Sequence, residues 1–121
     1  MKKYKSSLLI LEVKTLVGTD LEYGQLPDNA DDCEVWCEAE IGVKGEKAAD
    51  IFSFAVVTPK FLWSQQGHKW GKGLIILDTF SWEAVEAALD NLLSQCSGRD
   101  WLEVTDKLTK TLYWEYENYK D

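Results

Sequence analysis

The stretch Cys33-Glu34-Val35-Trp36-Cys37-Glu38-Ala39-Glu40-Ile41 alternates with a period of two, every second residue being apolar and the intervening ones three carboxylates and a tryptophan. Successive side chains leave a strand on opposite faces, so this pattern predicts a strand with two unlike sides. Val35, Cys37, Ala39 and Ile41 form one side, and Glu34, Trp36, Glu38 and Glu40 the other. Residues 51–58 predict its partner strand, which Pro59 stops because proline has no N–H to give the ladder. Residues 42–50, with Gly42 and Gly45, suit a long hairpin loop between the two. If Ile41 pairs with Ile51, then Ile51, Ser53, Ala55 and Val57 join the apolar side, and Phe52, Phe54 and Val56 stand beside the carboxylates. A slip of one residue moves both Phe side chains to the apolar side. In either register Trp36 stays among three glutamates.

Working outward, residues 6–17 are rich in Leu, Ile and Val and predict a strand ended by Gly18-Thr19-Asp20. Residues 21–32 are a polar acidic connection carrying Gly24, Pro27, Asp31 and Asp32. Residues 59–72 are irregular and aromatic, with Phe61, Trp63, His68 and Trp70, and residues 74–77 form a short fourth strand. Two helices follow. Ser81 is the expected N-cap of the first, with Phe80 stapled onto Val85. Trp82, Val85, Leu89, Leu92, Leu93 and Cys96 make its apolar stripe, and Gly98 is the expected stop through positive φ. Asp100 caps the second, with Glu103 at capping-box spacing. Trp101, Val104, Leu108 and Leu112 carry that stripe, and Tyr113-Trp114-Glu115-Tyr116-Glu117-Asn118-Tyr119 follows, its helical character left open. Strands followed by helices predict an α+β fold. The expected architecture is one domain over residues 1–121, an antiparallel sheet of about four strands with both helices on one face.

Composition narrows the function. The 121 residues hold 13 Lys and Arg against 21 Asp and Glu, a net charge of −8. Such a surface repels phosphate, which argues against nucleic acid or an anionic membrane as partner and for a basic protein. Glu12 and Lys14 interrupt the apolar run behind Lys2, Lys3 and Lys5, so the start does not read as a signal peptide and a cytoplasmic location is expected. Cys33, Cys37 and Cys96 are expected as buried thiols. On a strand the sulfurs of Cys33 and Cys37 would stand about 13 Å apart, too far for one zinc with bonds of about 2.3 Å. His68, seven scattered serines and the Gly67-His68-Lys69-Trp70-Gly71-Lys72-Gly73 loop match no catalytic or phosphate-binding spacing. No catalytic residue, cofactor or metal is expected. Trp36 with Glu34, Glu38 and Glu40, extended by Asp31 and Asp32, is the expected docking patch, since Trp is a frequent anchor and carboxylates steer a cationic partner. The other reading of Trp36 is that it packs beneath residues 59–72.

The strand Asp32-Cys33-Glu34-Val35-Trp36-Cys37-Glu38-Ala39-Glu40-Ile41-Gly42, then Lys44-Gly45-Glu46 and Asp50-Ile51-Phe52-Ser53-Phe54-Ala55-Val56-Val57-Thr58-Pro59-Lys60-Phe61-Leu62, resemble the immunity protein 8 family of bacterial polymorphic toxin systems, as do Ser81-Trp82-Glu83-Ala84 and the Tyr113–Tyr119 segment. The resemblance implies a small cytoplasmic inhibitor that neutralises a cognate toxin domain by binding it, with no cofactor and no turnover, in contact-dependent or related toxin systems. An acidic inhibitor suits a nuclease, whose site is basic because it holds phosphate. The family supplies no catalytic motif, so the docking residues rest on the strand reading alone. The alternative is an interaction module unrelated to toxins, an adaptor for a basic partner or a homodimer joined through the Trp36 face. The oligomeric state is not readable from the residues.

Overall fold

A computed structural model describes residues 8–65 and 71–117. The order of elements is β1 (Leu11–Gly18), β2 (Glu34–Val43), β3 (Asp50–Val57), α1 (Pro59–Ser64), β4 (Leu74–Ile76), α2 (Trp82–Ser94), α3 (Trp101–Leu108) and β5 (Tyr113–Trp114). The strands form one sheet in the order β1-β2-β3-β4, and β5 pairs with β3 as well. The α+β class and the two helices on one face are as expected. The sheet is mixed, however: β4 runs parallel to β3, matching Ala55 to Leu74 and Val57 to Ile76. Parallel neighbours need a crossover of a dozen or more residues, and the segment carrying α1 provides it.

The hairpin register differs from the Ile41–Ile51 pairing by one residue. Ile41 lies opposite Asp50, Ala39 opposite Phe52 and Cys37 opposite Phe54. The slip puts Phe52, Phe54 and Val56 on the helix side, where all three are fully buried. Burying a large apolar side chain stabilises the fold by roughly 1.5–3 kcal/mol, so the register that seals both phenylalanines wins. Asp50, on the same face two residues before Phe52, fixes it as well. Its Oδ2 accepts from the indole Nε1 of Trp101 at 2.7 Å and of Trp114 at 3.0 Å.

α2 and α3 cover this face. Trp82, Val85, Leu89, Leu93, Cys96, Val104, Leu108 and Leu112 pack against Val35, Cys37, Ala39, Ile41 and the β3 phenylalanines in one core, with Leu92 and Trp101 partly buried at its margin. The Ser81 hydroxyl accepts from Ala84 N at 3.1 Å, and the Asp100 carboxylate from Glu103 N at 2.9 Å, so both N-caps form as expected. Glu103 reaches back to Arg99 N at 2.7 Å, one residue before the cap. Gly98 does not end α2: the helix stops at Ser94, and Gly98 is not among the glycines with positive φ. Its small size is used differently, since a Cβ there would meet Glu103 at 3.0 Å, and its carbonyl accepts from Leu9 N at 2.8 Å.

Two short elements were not expected. Thr58 caps α1, accepting from Phe61 N at 3.4 Å, and Pro59 sits at the first helical turn, where its missing N–H costs nothing. The Tyr113 segment opens as a strand, pairing Phe52 with Trp114. The three cysteines are free and buried, and burial pushes the Cys37 thiol up to about 12. No described helix is long and apolar enough to cross a membrane.

Candidate functional site

The registers of β1, β2 and β3 set out the face that the helices leave uncovered. Thr15, Glu40 and Ile51 form one row across the strands, and Val17, Glu38 and Ser53 the next. Trp36 lies beside Ala55, which pairs with Leu74, and Glu34 beside Val57, which pairs with Ile76. The residues paired with Glu38 and Glu40 on both sides are therefore uncharged. Side chains two apart on a strand are separated by about 6.6 Å. β2 thus presents a column of negative charge interrupted by one indole.

Trp36 is 42% exposed, so it is not sealed under the chain. Glu38 is exposed, Glu34 and Glu40 are half-buried, and Glu40 accepts from the Thr15 hydroxyl at 3.0 Å. Val17 at 44% and Ile76 at 58% add exposed apolar surface on the same face. A shallow hollow of about 270 Å³ lies between Thr15, Val17, Glu38, Glu40 and Ile51, and another of about 200 Å³ beside Trp36 and Glu34. Ala55 and Val57 are fully buried, so the face is open over its Glu38 end and closed towards α1. These features suit protein docking, with an aromatic anchor, small apolar depressions and surrounding carboxylates.

Asp31 and Asp32 fall elsewhere. They sit in the connection before β2, where Asp31 is exposed and accepts from the Thr79 hydroxyl at 2.6 Å, tying the connection to the start of α2. They border the face without lying on it. Sequence reasoning missed Thr15, Val17, Ile51 and Ile76, because which β1, β3 and β4 residues join Trp36 depends on register and on a β-bulge at Lys14. It also passed over the exposure of Trp63, which stands 86% exposed on α1.

Three of the serines are engaged structurally. Ser64 donates to Phe61 O, Ser94 to Asn91 O, and Ser81 caps α2. Among the described residues no three His, Cys, Asp or Glu side chains gather as a metal set. His68, Trp70 and the Gly67 end of the glycine-rich loop lie outside the described residues, as do Ser6, Ser7, Asn118 and Tyr119.

A third depression, about 440 Å³, runs between the outer edge of β1 and α2. Tyr23 closes one end, donating to Glu86 Oε2 at 2.5 Å while its ring lies 5.1 Å from that of Trp82. Trp82 in turn donates to Gln25 O at 2.7 Å, which pins the acidic connection onto the first turn of α2.

No curated protein and no solved structure matches the chain. The immunity protein 8 family model matches residues 11–119, a span that holds every strand and helix described above. The chain belongs to the immunity protein 8 family.

Proposed function

We propose that this protein neutralises a cognate basic toxin domain by covering it with the open face of its sheet, in the cytoplasm, without transforming any substrate. Family membership makes it an immunity protein with a toxin as partner. Its net charge of −8 favours a cationic one, a nuclease being the leading class because its active site must hold phosphate. The observation that carries the docking face is a half-exposed Trp36 in a column of carboxylates, with Glu38 paired across the strands to Val17 and Ser53 and Glu40 to Thr15 and Ile51. Trp36 is the anchor, Glu38, Glu40 and Glu34 steer and orient the partner, and Asp31 and Asp32 extend the negative field at the border. Contact-dependent delivery between neighbouring cells is the setting in which such an inhibitor acts.

The test is to purify the chain with the toxin domain encoded beside its gene and measure affinity against salt. Trp36→Ala should weaken binding about 30-fold, as for an interface anchor contributing about 2 kcal/mol. Glu38→Lys and Glu40→Lys should lower the association rate and flatten its salt dependence. All three should retain the wild-type melting temperature within about 3 °C. Unchanged affinity in all three would remove this face from the interface. A stable homodimer joined through Trp36, with no toxin binding, would overturn the reading.

A further inference from the structure

β1 is an edge strand, and its hydrogen-bonding pattern shows which backbone groups it leaves unused. Ile10 O accepts from Lys44 N, and Thr19 N donates to Trp36 O, so these residues face β2. Antiparallel pairs alternate between bonded and non-bonded. Counting along the register from each end, Glu12, Thr15 and Val17 also face β2, and Leu9, Leu11, Val13, Leu16 and Gly18 turn their N–H and C=O groups outward. The bulge at Lys14 absorbs the change of phase. Both ends of this outward row are occupied: Leu9 N donates to Gly98 O at 2.8 Å and Gly18 N to Leu21 O at 2.9 Å. Among the described residues, no strand pairs with the outward groups of Leu11, Val13 and Leu16 between them.

This free edge lines the 440 Å³ trench, whose far wall is α2 with Glu86 and Asp90. The charge balance there is negative. The one lysine of the trench, Lys14, is engaged by the Glu12 carboxylate and by the carbonyls of Val43 at 3.0 Å and Glu46 at 2.6 Å. Glu86 holds the Tyr23 hydroxyl, and Asp90 is exposed. An edge strand facing a helix across an open trench can accept an extended peptide as an added strand, main-chain bonds giving affinity and flanking side chains giving specificity.

We propose that an extended, Lys- or Arg-bearing segment of the toxin adds to the outer edge of β1, pairing with Leu11, Val13 and Leu16 and placing its cations against Glu86 and Asp90. The proposal rests on the immunity reading for its partner and deepens it. An added strand would continue the sheet beyond Thr15 and Val17, making the Trp36 face and the trench one contiguous surface.

The experiment is amide hydrogen exchange on the wild-type chain, free and bound to a catalytically inactive form of the neighbouring toxin domain. In the complex the Leu11, Val13 and Leu16 amides should exchange at least about tenfold more slowly. Val13→Pro removes an outward N–H and leaves the β1–β2 ladder whole, and should weaken binding about tenfold or more. Asp90→Lys, on the exposed side of α2, serves where the proline variant folds poorly. It should weaken binding about tenfold at low salt and far less at 0.5 M salt. Wild-type binding with all three amides unprotected, or with Asp90→Lys unchanged, overturns strand addition and leaves the Trp36 face standing. A wild-type chain that fails to bind the toxin domain overturns both.

Discussion

Asp50 carries more of the fold than its position at the start of a strand suggests. One carboxylate oxygen receives two indole N–H groups, joining β3 to α3 through Trp101 and to β5 through Trp114. Removing the acceptor leaves two half-buried donors unpaired, at about 1–3 kcal/mol for each buried donor so left. Asp50→Ala should therefore cost about 2–4 kcal/mol in urea unfolding, and Asp50→Asn, which keeps an acceptor oxygen, less than half of that. A second residue-scale effect concerns acid. Burial pushes the Glu117 carboxyl up, but its bonds to the Lys72 ammonium and from Trp114 N more than offset this and leave it below its ordinary 4.5. The Lys14 bond holds Glu12 below 4.5 as well. A carboxyl depressed in the folded state adds stability above its unfolded value, and loses it as the pH falls through the folded one. The urea midpoint should thus fall as pH drops from 4.5 towards 3, and Glu117→Gln should lower the midpoint at pH 6 while shrinking that acid-dependent fall.

At the scale of elements, the caps were legible and the stops were not. Ser81 and Asp100 cap α2 and α3 as their spacing predicts, because an N-cap is a local bond between residues three apart. Ser81→Ala should cost about 1 kcal/mol, read as a lower melting temperature with the core unchanged. Gly98 misled because a glycine after an apolar stripe resembles a helix stop, whereas here its missing side chain lets Glu103 approach. α1 has only six residues, too few to display a 3.6-residue period, though Thr58-Pro59 is a readable helix start. β5 is two residues long and exists only because Phe52 and Ser53 offer it an edge. Gly73, by contrast, has φ of +75°, and a Cβ there would lie 2.3 Å from the Tyr113 ring, so β4 and β5 meet across a position that admits little else. Gly73→Ala should loosen this junction and raise exchange at Leu74 and Ile75.

For the molecule as a whole, one core between the sheet and α2 and α3 holds all three thiols out of water. With Cys37 fully buried and its thiol pushed up to about 12, folded protein at pH 8 should react with a disulfide reagent only through opening. Labelling of Cys37 should follow the global unfolding rate and accelerate with denaturant, and rapid labelling in native buffer would show that the core opens locally. The same core leaves the opposite side of the sheet as the face proposed for docking. Every large apolar group of β2 apart from Trp36 turns inward, leaving an outward surface of charge, one indole and a few small depressions.

The sequence by itself determined that Trp36 stands with Glu34, Glu38 and Glu40, because alternation along one strand is a property of the backbone and survives any register. It also determined the class of fold, the two closing helices and the negative field, all of which follow from local spacing or from simple addition of charge. Only the tertiary structure decided what lies beside that column. The hairpin loop left the pairing of β2 with β3 free to shift by one residue. Burial of Phe52 and Phe54, together with the two indoles on Asp50, selected one register. The β1 bulge, the parallel β4 and the open trench along β1 likewise come from contacts between residues far apart in the chain, where the energy of packing outweighs any preference written locally.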